Sequence, residues 1–152
     1  MTKNPSLVHS KPEGMGLLHS AVYLNQAEMV ELILEAGADP NLRQDHLQLT
    51  PLIIAVQEER PSIVAVLLEY GADPNLRCAE DSTALHRAAF LNDALSARML
   101  LEAGADPKAK DAAGLTPLEW AIHEERQTSL GRIGGRNNEE VAGVIKEYIQ
   151  GD

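Results

Sequence analysis

Short apolar runs with helical spacing alternate with glycine- and proline-containing breaks along the chain of 152 residues. In the clearest example, Thr50 can cap a helix that begins at Pro51 and ends near Glu59, because a proline at the first helical position has no N–H that needs a partner. A second helix is predicted from Pro61 to Gly71, since its apolar residues recur at intervals that place them on one buried face. Gly71 supplies the left-handed residue that closes a helix. The pattern therefore predicts pairs of short helices separated by turns.

The same landmarks recur at a nearly constant interval. Residues 37–43, GADPNLR, recur unchanged at 71–77 and as GADPKAK at 104–110, which gives intervals of 34 and 33 residues. A second string, Thr-Pro-Leu or Thr-Ala-Leu, begins at residues 50, 83 and 116, and a degenerate copy covers 14–21. Self-similarity at a fixed period indicates a repeat architecture. We predict four repeats in a single domain over residues 1–152, and their bounds are about 11–43, 44–77, 78–110 and 111–150.

These strings resemble the ankyrin repeat family, whose unit has about 33 residues and a Thr-Pro-Leu-His-x-Ala motif. The resemblance covers residues 14–149 and implies an all-α solenoid of stacked helix-turn-helix units with projecting β-hairpin loops, called fingers below. One finger carries an extra residue around Gln44, and the last repeat carries an insert at about 127–138 that its glycines predict to be a surface loop. The final helix, Asn138 to Ile149, is expected to cap the array with a polar face.

Composition and charge narrow the function classes. The chain has 13 basic and 23 acidic side chains and a net charge of −10, which argues against binding to nucleic acids or anionic membranes because phosphate contacts need surplus Lys and Arg. No apolar run reaches the roughly 20 residues that cross a bilayer, and residues 1–14 lack the apolar core of a secretory signal. The single cysteine, Cys78, excludes an intramolecular disulfide. We expect a cytoplasmic protein that needs no cofactor.

Two histidines and the cysteine are the catalytic candidates. His19 and His86 stand at the histidine of the family motif, where the resemblance implies a hydrogen-bonding brace for the fingers. Cys78, with Asp81 and His86 nearby in sequence, leaves a hydrolase as the rival hypothesis. Nucleophilic catalysis would also need an oxyanion site and an oriented base, which the sequence does not supply. We therefore expect an exposed or half-buried ordinary thiol at Cys78, and no enzyme activity.

Other binding chemistry finds little support. His9, His46 and His123 have no histidine or cysteine at ligand spacing, so no metal site is expected. The glycines of the insert precede a helix but lack the Gly-Lys-Ser/Thr of a phosphate-binding loop. The insert is predicted to be an ordinary surface loop.

The resemblance implies that partner proteins bind the finger tips and the exposed side of the first helix in each repeat. The equivalent positions there are Tyr23-Leu24, Gln57-Glu58, Phe90-Leu91 and His123-Glu124, with Trp120 on the last of these helices. Aromatic residues make only 3% of the chain, so two rings at equivalent, solvent-facing positions favour a binding role, because interface hot spots are rich in aromatics. The alternative is that the rings fill space between repeats, which we favour for Trp120.

The fingers add charge and apolar surface. Arg43, Arg77 and Lys110 share one finger position and are predicted to form a short basic row. The second finger is predicted to expose an apolar spot, which consists of His46, Leu47 and Leu49. The sequence thus predicts an interaction scaffold, monomeric when free, that binds and inhibits or neutralises another protein with a basic surface. The alternatives are a bacterial immunity protein against a cognate toxin, an adaptor and an assembly subunit.

Overall fold

The structure is a computed structural model that describes residues 16–44, 46–122 and 138–151. It confirms the predicted pairs of short helices. The helices of these ranges are α1 Leu17–Tyr23, α2 Ala27–Glu35, α3 Pro51–Gln57, α4 Pro61–Glu69, α5 Ala84–Leu91, α6 Ala94–Glu102, α7 Pro117–Ile122 and α8 Glu139–Gln150. The insert predicted at 127–138 lies outside the described residues apart from Asn138.

The first helix of each pair, here called the inner helix, begins at a threonine in three of the four described pairs. Thr50 caps α3 as predicted, because its Oγ1 accepts the backbone N–H of the third helical residue at 3.2 Å. At α5 the cap is reciprocal, since the Thr83 N–H donates to Nδ1 of His86 at 3.1 Å. At α7 the Thr116 N–H donates to Oε2 of Glu119 at 2.7 Å. The threonine motif thus fixes where the inner helices start.

The core runs continuously between the stacked pairs. Each inner helix contacts the next inner helix along the chain, and α2, α4, α6 and α8 contact one another in the same order as a layer of outer helices. Aliphatic side chains such as Leu52, Leu67 and Leu100 are almost completely buried. Ala55 and Ala88 are fully buried on the inner helices, and their small side chains let neighbouring helices approach closely. This packing needs few aromatic rings, as the composition predicts.

Two asparagine side chains join the turn after one outer helix to the turn after the next. Asn75 donates from Nδ2 to the carbonyl of Gly104 at 2.9 Å and accepts from the N–H of Asp106 at 2.8 Å. Asn41 makes the equivalent two hydrogen bonds one repeat earlier. Lys108 occupies this position in the third copy, and its side chain has no oxygen to accept the second bond. The GADPN string is therefore a link between repeats as well as a turn.

A backbone hydrogen bond closes the base of each described finger. These bonds run from Gln44 N to Leu49 O at 2.9 Å, from Cys78 N to Ser82 O at 3.0 Å and from Asp111 N to Leu115 O at 2.9 Å. Adjacent fingers are also joined, for example by the bond from Ala79 N to Leu47 O at 3.0 Å. None of the described residues forms a regular β-strand, because the finger arms are too short to build a ladder. The hairpin loops implied by the resemblance are present as tight turns.

Left-handed residues make the turn between the two helices of a pair. Asn25, Glu59 and Asn92 are equivalent positions with φ of 55°, 54° and 55°. Asparagine adopts this conformation more readily than glutamate, so Glu59 is the least suited of the three. Gly71, with φ of 86°, ends α4 as the sequence predicts.

Candidate protein-binding surface

Six residues at the ends of the inner helices form what we call the inner-helix surface, namely 23–24, 57–58 and 90–91. Leu24 is 67% exposed, although it follows an apolar helix, and the other five residues are half-buried. His123 and Glu124, which the sequence assigns to the same surface, lie outside the described residues. Leu24 and Leu91 therefore offer apolar surface at equivalent positions two repeats apart.

Tyr23 is half-buried, whereas the sequence predicts a solvent-facing ring. The ring packs against the core, while the hydroxyl hydrogen-bonds to the side chain of Gln44. Burial and the nearby Glu58 carboxylate raise the pKa of Tyr23, and the Gln44 hydrogen bond opposes this shift. Tyr23 is therefore a partly exposed aromatic residue with a polar hydroxyl near a negative charge, and tyrosines of this kind are common at protein interfaces.

Phe90 both packs and remains accessible. Its ring meets that of Trp120 edge-on, with centroids 6.2 Å apart and an interplanar angle of 75°. Trp120 itself is only 6% exposed, and its Nε1 donates to Oδ2 of Asp111 at 2.8 Å. The packing role that we favoured for Trp120 is confirmed, and its burial removes it from the surface that a partner could touch. Phe90 keeps a half-exposed ring on a rigid support.

Sequence analysis missed Arg87, a buried arginine in the middle of α5. Its guanidinium carbon lies 5.8 Å from the ring centroid of Trp120, and its Nη2 lies 3.1 Å from Oε2 of Glu80. Glu80 is on the third finger and half exposed, so this ion pair ties the finger to the inner helix. The available signal was a charged residue in the string ALHRAAFL, at a position where α3 has the fully buried Ile54.

The basic row on the fingers is partly used for structure. Arg77 is half-buried, and its Nη1 donates to the carbonyl of Lys110 on the next finger and to that of Asp81 at 3.0 Å. Arg43 and Lys110 are exposed. Arg77 therefore braces two neighbouring fingers, while the charges of Arg43 and Lys110 face solvent.

The apolar spot predicted on the second finger is smaller than expected. His46 is exposed and Leu47 is 60% exposed, as the sequence predicts. The prediction is wrong for Leu49, which is only 4% exposed, because the chain has already turned into the core at this residue. The Leu49 carbonyl accepts a hydrogen bond from Nε2 of His19 at 3.2 Å, so this residue anchors the base of the finger.

Both nitrogens of His86 are engaged in structural hydrogen bonds. Nδ1 accepts from the hydroxyl of Thr83 at 2.9 Å, and Nε2 donates to the carbonyl of Leu115 at 3.0 Å. Burial lowers the pKa of His86, while the Leu115 carbonyl and the Asp111 carboxylate act in the opposite direction. His19 makes the equivalent hydrogen bond to the carbonyl of Leu49. Both histidines therefore brace the following finger, as the resemblance implies.

Cys78 is buried, in contrast to the exposed or half-buried thiol that we expected. Its Sγ lies 3.1 Å from Oγ of Ser82 inside the third finger. Because His86 uses both ring nitrogens elsewhere, it has none left to accept the thiol proton. The Cys–His–Asp hypothesis therefore lacks its base in this geometry.

Within 16–44, 46–122 and 138–151, no three His, Cys, Asp or Glu side chains come together in a way that could hold a metal ion. In the same ranges no helix combines the length and apolar character that crossing a membrane requires.

Comparison with known proteins places this geometry in a family. A model of ankyrin repeats in three copies matches residues 18–111, and the fourth helix pair lies beyond that range. The chain is 37% identical over 92 residues to human SH3 and multiple ankyrin repeat domains protein 2, covering 60% of this chain and 5% of that protein. It is 34% identical over 117 residues to human SH3 and multiple ankyrin repeat domains protein 1, covering 76% and 5%. Human ankyrin repeat and SOCS box protein 6 is 41% identical over 140 residues, covering 88% and 32%. The chain therefore spans a small part of these relatives, and it belongs to the ankyrin repeat family.

Proposed function

We propose that this chain binds another protein through the inner-helix surface and the finger tips, and that it inhibits or neutralises that protein. Ankyrin repeats generally mediate protein–protein interaction, which supports the binding role. The observation that carries the proposal is the exposure of Leu24 and Leu47, 67% and 60%, together with the half-buried rings of Tyr23 and Phe90. Apolar side chains held on a rigid surface lose little conformational entropy on association.

Charge defines the partner that fits this surface. The chain carries a net charge of −10, and Glu58 lies beside Tyr23 on the inner-helix surface. A partner with a basic surface would be attracted and oriented by this field. We further propose that the free protein is monomeric and has no catalytic activity. We also propose a cytoplasmic location, which is supported by a single cysteine that has no disulfide partner in the chain.

An adaptor is the second candidate function. The relatives named for SH3 and multiple ankyrin repeat domains carry repeats together with another module, and this chain spans 5% of their length. In an adaptor the same surface would recruit a protein without blocking it. An activity assay on the captured partner, with and without this chain, distinguishes the two: loss of activity supports inhibition, and unchanged activity supports recruitment.

Affinity capture with matched variants tests the binding surface. Leu24→Asp places a charge on an exposed residue of the surface, and Leu95→Asp does the same on the outer helix α6, where Leu95 is 59% exposed. A host protein retained by wild type and Leu95→Asp, and lost with Leu24→Asp, would be the partner. The double variant Tyr23→Ala/Phe90→Ala should weaken the same capture, and a thermal melt checks that the fold survives. Equal capture by all variants would show that the surface is wrong.

A further inference from the structure

The first described helix pair exposes an apolar residue at a position that every later pair buries. Met29 on α2 is 45% exposed. The equivalent residues on α4, α6 and α8 are Ile63, Ser96 and Val141, and all three are fully buried. Met29 thus exposes an apolar side chain at a position that is buried in the other described pairs.

Two other residues of the first pair behave in the same way. Leu17 is 44% exposed, whereas the equivalent Pro51 and Ala84 are buried. Leu32 is 58% exposed, whereas the equivalent Val66 is partly buried and packs against the core. We call Leu17, Met29 and Leu32 the first-repeat face. Exposed apolar residues that lie close together mark an interaction site more often than isolated ones do.

The later repeats show what kind of element fits such a face. The outer helix α2 packs on α4, α4 packs on α6, and α6 packs on α8. The residues equivalent to Met29 and Leu32 lie on these outer helices, and those equivalent to Leu17 lie on inner helices, which pack on one another in the same order. A helix with an apolar side is the complementary shape for the first-repeat face.

The charge around the first-repeat face selects among helices. Glu28 and Glu35 flank Leu32 at i−4 and i+3 on α2, and both are exposed. Neither α1 nor α2 contains a lysine or an arginine. A second copy packed about a two-fold axis would bring the same glutamates close to each other, which is unfavourable. A helix with lysine or arginine beside its apolar stripe would meet them with opposite charge.

We propose that the first-repeat face docks an amphipathic helix from a partner protein, with apolar residues toward Leu17, Met29 and Leu32 and basic residues at the border of that stripe. This mode of recognition lays a helix into a groove with anchors at helical spacing. The face is separate from the inner-helix surface, so the chain has two places at which a protein can bind.

A designed peptide tests the proposal directly. The probe is a fluorescein-labelled 14-residue peptide of leucine and lysine, with leucines placed on one helical face, and binding is followed by fluorescence anisotropy at physiological salt. We expect saturable binding to the wild-type protein. Met29→Gln/Leu32→Gln should weaken it by about tenfold or more, because the apolar anchors are removed. Leu95→Gln is the matched control, since Leu95 is equally exposed on another outer helix, and it should leave the affinity unchanged.

Further controls separate the proposal from its alternatives. A scrambled peptide of the same composition and a leucine–glutamate peptide should bind at least tenfold more weakly. Equal binding of the first peptide to Met29→Gln/Leu32→Gln, or equal binding by the scrambled peptide, would overturn the proposal. A lower melting temperature of the free double variant would also overturn the proposal, because it would mean that the face is already covered. Self-association of the wild-type protein that the double variant abolishes would overturn it as well. None of these results affects the affinity capture with Leu24→Asp, which tests the inner-helix surface. Each of the two proposals can therefore be refuted without the other.

Discussion

Replacing His86 by alanine should remove a joint between two repeats. The fully buried imidazole accepts from the N–H and the hydroxyl of Thr83 at 3.1 and 2.9 Å, and it donates to the carbonyl of Leu115 at 3.0 Å. It also meets the ring of Trp120 edge-on, at a centroid distance of 5.2 Å. The substitution therefore breaks the cap of α5, frees the base of the fourth finger and leaves a cavity.

The expected loss of stability follows from these contacts. Each lost hydrogen bond contributes about 1 kcal/mol net, and a buried group left without a partner adds to the loss. The total is about 3–4 kcal/mol when the empty volume is included. Domains of this kind unfold with a total of about 5–15 kcal/mol, so His86→Ala should remain folded but be strongly destabilised.

Urea denaturation followed by circular dichroism measures this loss. With a slope of about 2 kcal/mol per molar urea, the midpoint of His86→Ala should fall by about 1.5–2 M. His46→Ala is the control, because His46 is exposed at a finger tip and its removal should shift the midpoint little. A loss below about 1 kcal/mol in His86→Ala would refute the argument that this histidine joins two repeats.

The same residue predicts a dependence of stability on pH. Burial lowers the pKa of His86 in the folded state below its unfolded value of about 6.5, so the unfolded chain binds the proton more readily. This contribution is fully present above pH of about 6.5 and declines as the pH falls toward the folded pKa. Subtracting the stability of His86→Gln from that of wild type at each pH isolates this contribution. A difference that grows as the pH falls below about 6.5 would contradict the sign.

Backbone conformation and burial lead to three further predictions. Glu59→Asn should raise stability by about 0.5 kcal/mol, because Glu59 holds φ of 54° and the equivalent Asn92 suits that conformation; a lower melting temperature would contradict this. Gly71→Ala should lower the free energy of unfolding by about 1 kcal/mol, because Gly71 has a φ of 86°. Gly143→Ala on α8 should raise the free energy of unfolding by about 0.5–1 kcal/mol, because the added Cβ meets open space in a helix. Urea midpoints that move in the same direction for both variants would refute this distinction. The buried thiol of Cys78 should react with Ellman's reagent only as the protein unfolds in urea, and rapid labelling in buffer would disprove its burial.

Much of the fold could be predicted because the repeated residues act locally. The threonine caps, Gly71 and the apolar spacing of α4 each determine a helix end or face within a few residues, and the structure matches them. The hydrogen bonds of His19 and His86 to the following finger were implied by the motif and are present. These contacts between repeats could be predicted from the sequence because the repeat period determines which segments are neighbours.

The surface was harder to predict because exposure depends on contacts between repeats. Leu49 and Tyr23 stand at apparently outward positions, yet the chain around them turns into the core, so one is buried and the other half-buried. Arg87 was missed because a buried arginine is stable only with partners from elsewhere, here Glu80 on a finger and Trp120 on the next inner helix. The exposure of Met29 could not be read from the repeat alignment, because the residues at the equivalent positions of the later pairs are buried.

Site-specific crosslinking tests the central claim, that the inner-helix surface is where a partner protein binds. A photoreactive phenylalanine analogue at Phe90 keeps the ring of the native residue, and the same analogue at Arg98, exposed on α6, serves as the control. In the native host, irradiation should join a defined partner to position 90 and leave position 98 unlinked. Crosslinks at position 98 with none at position 90 would contradict the account.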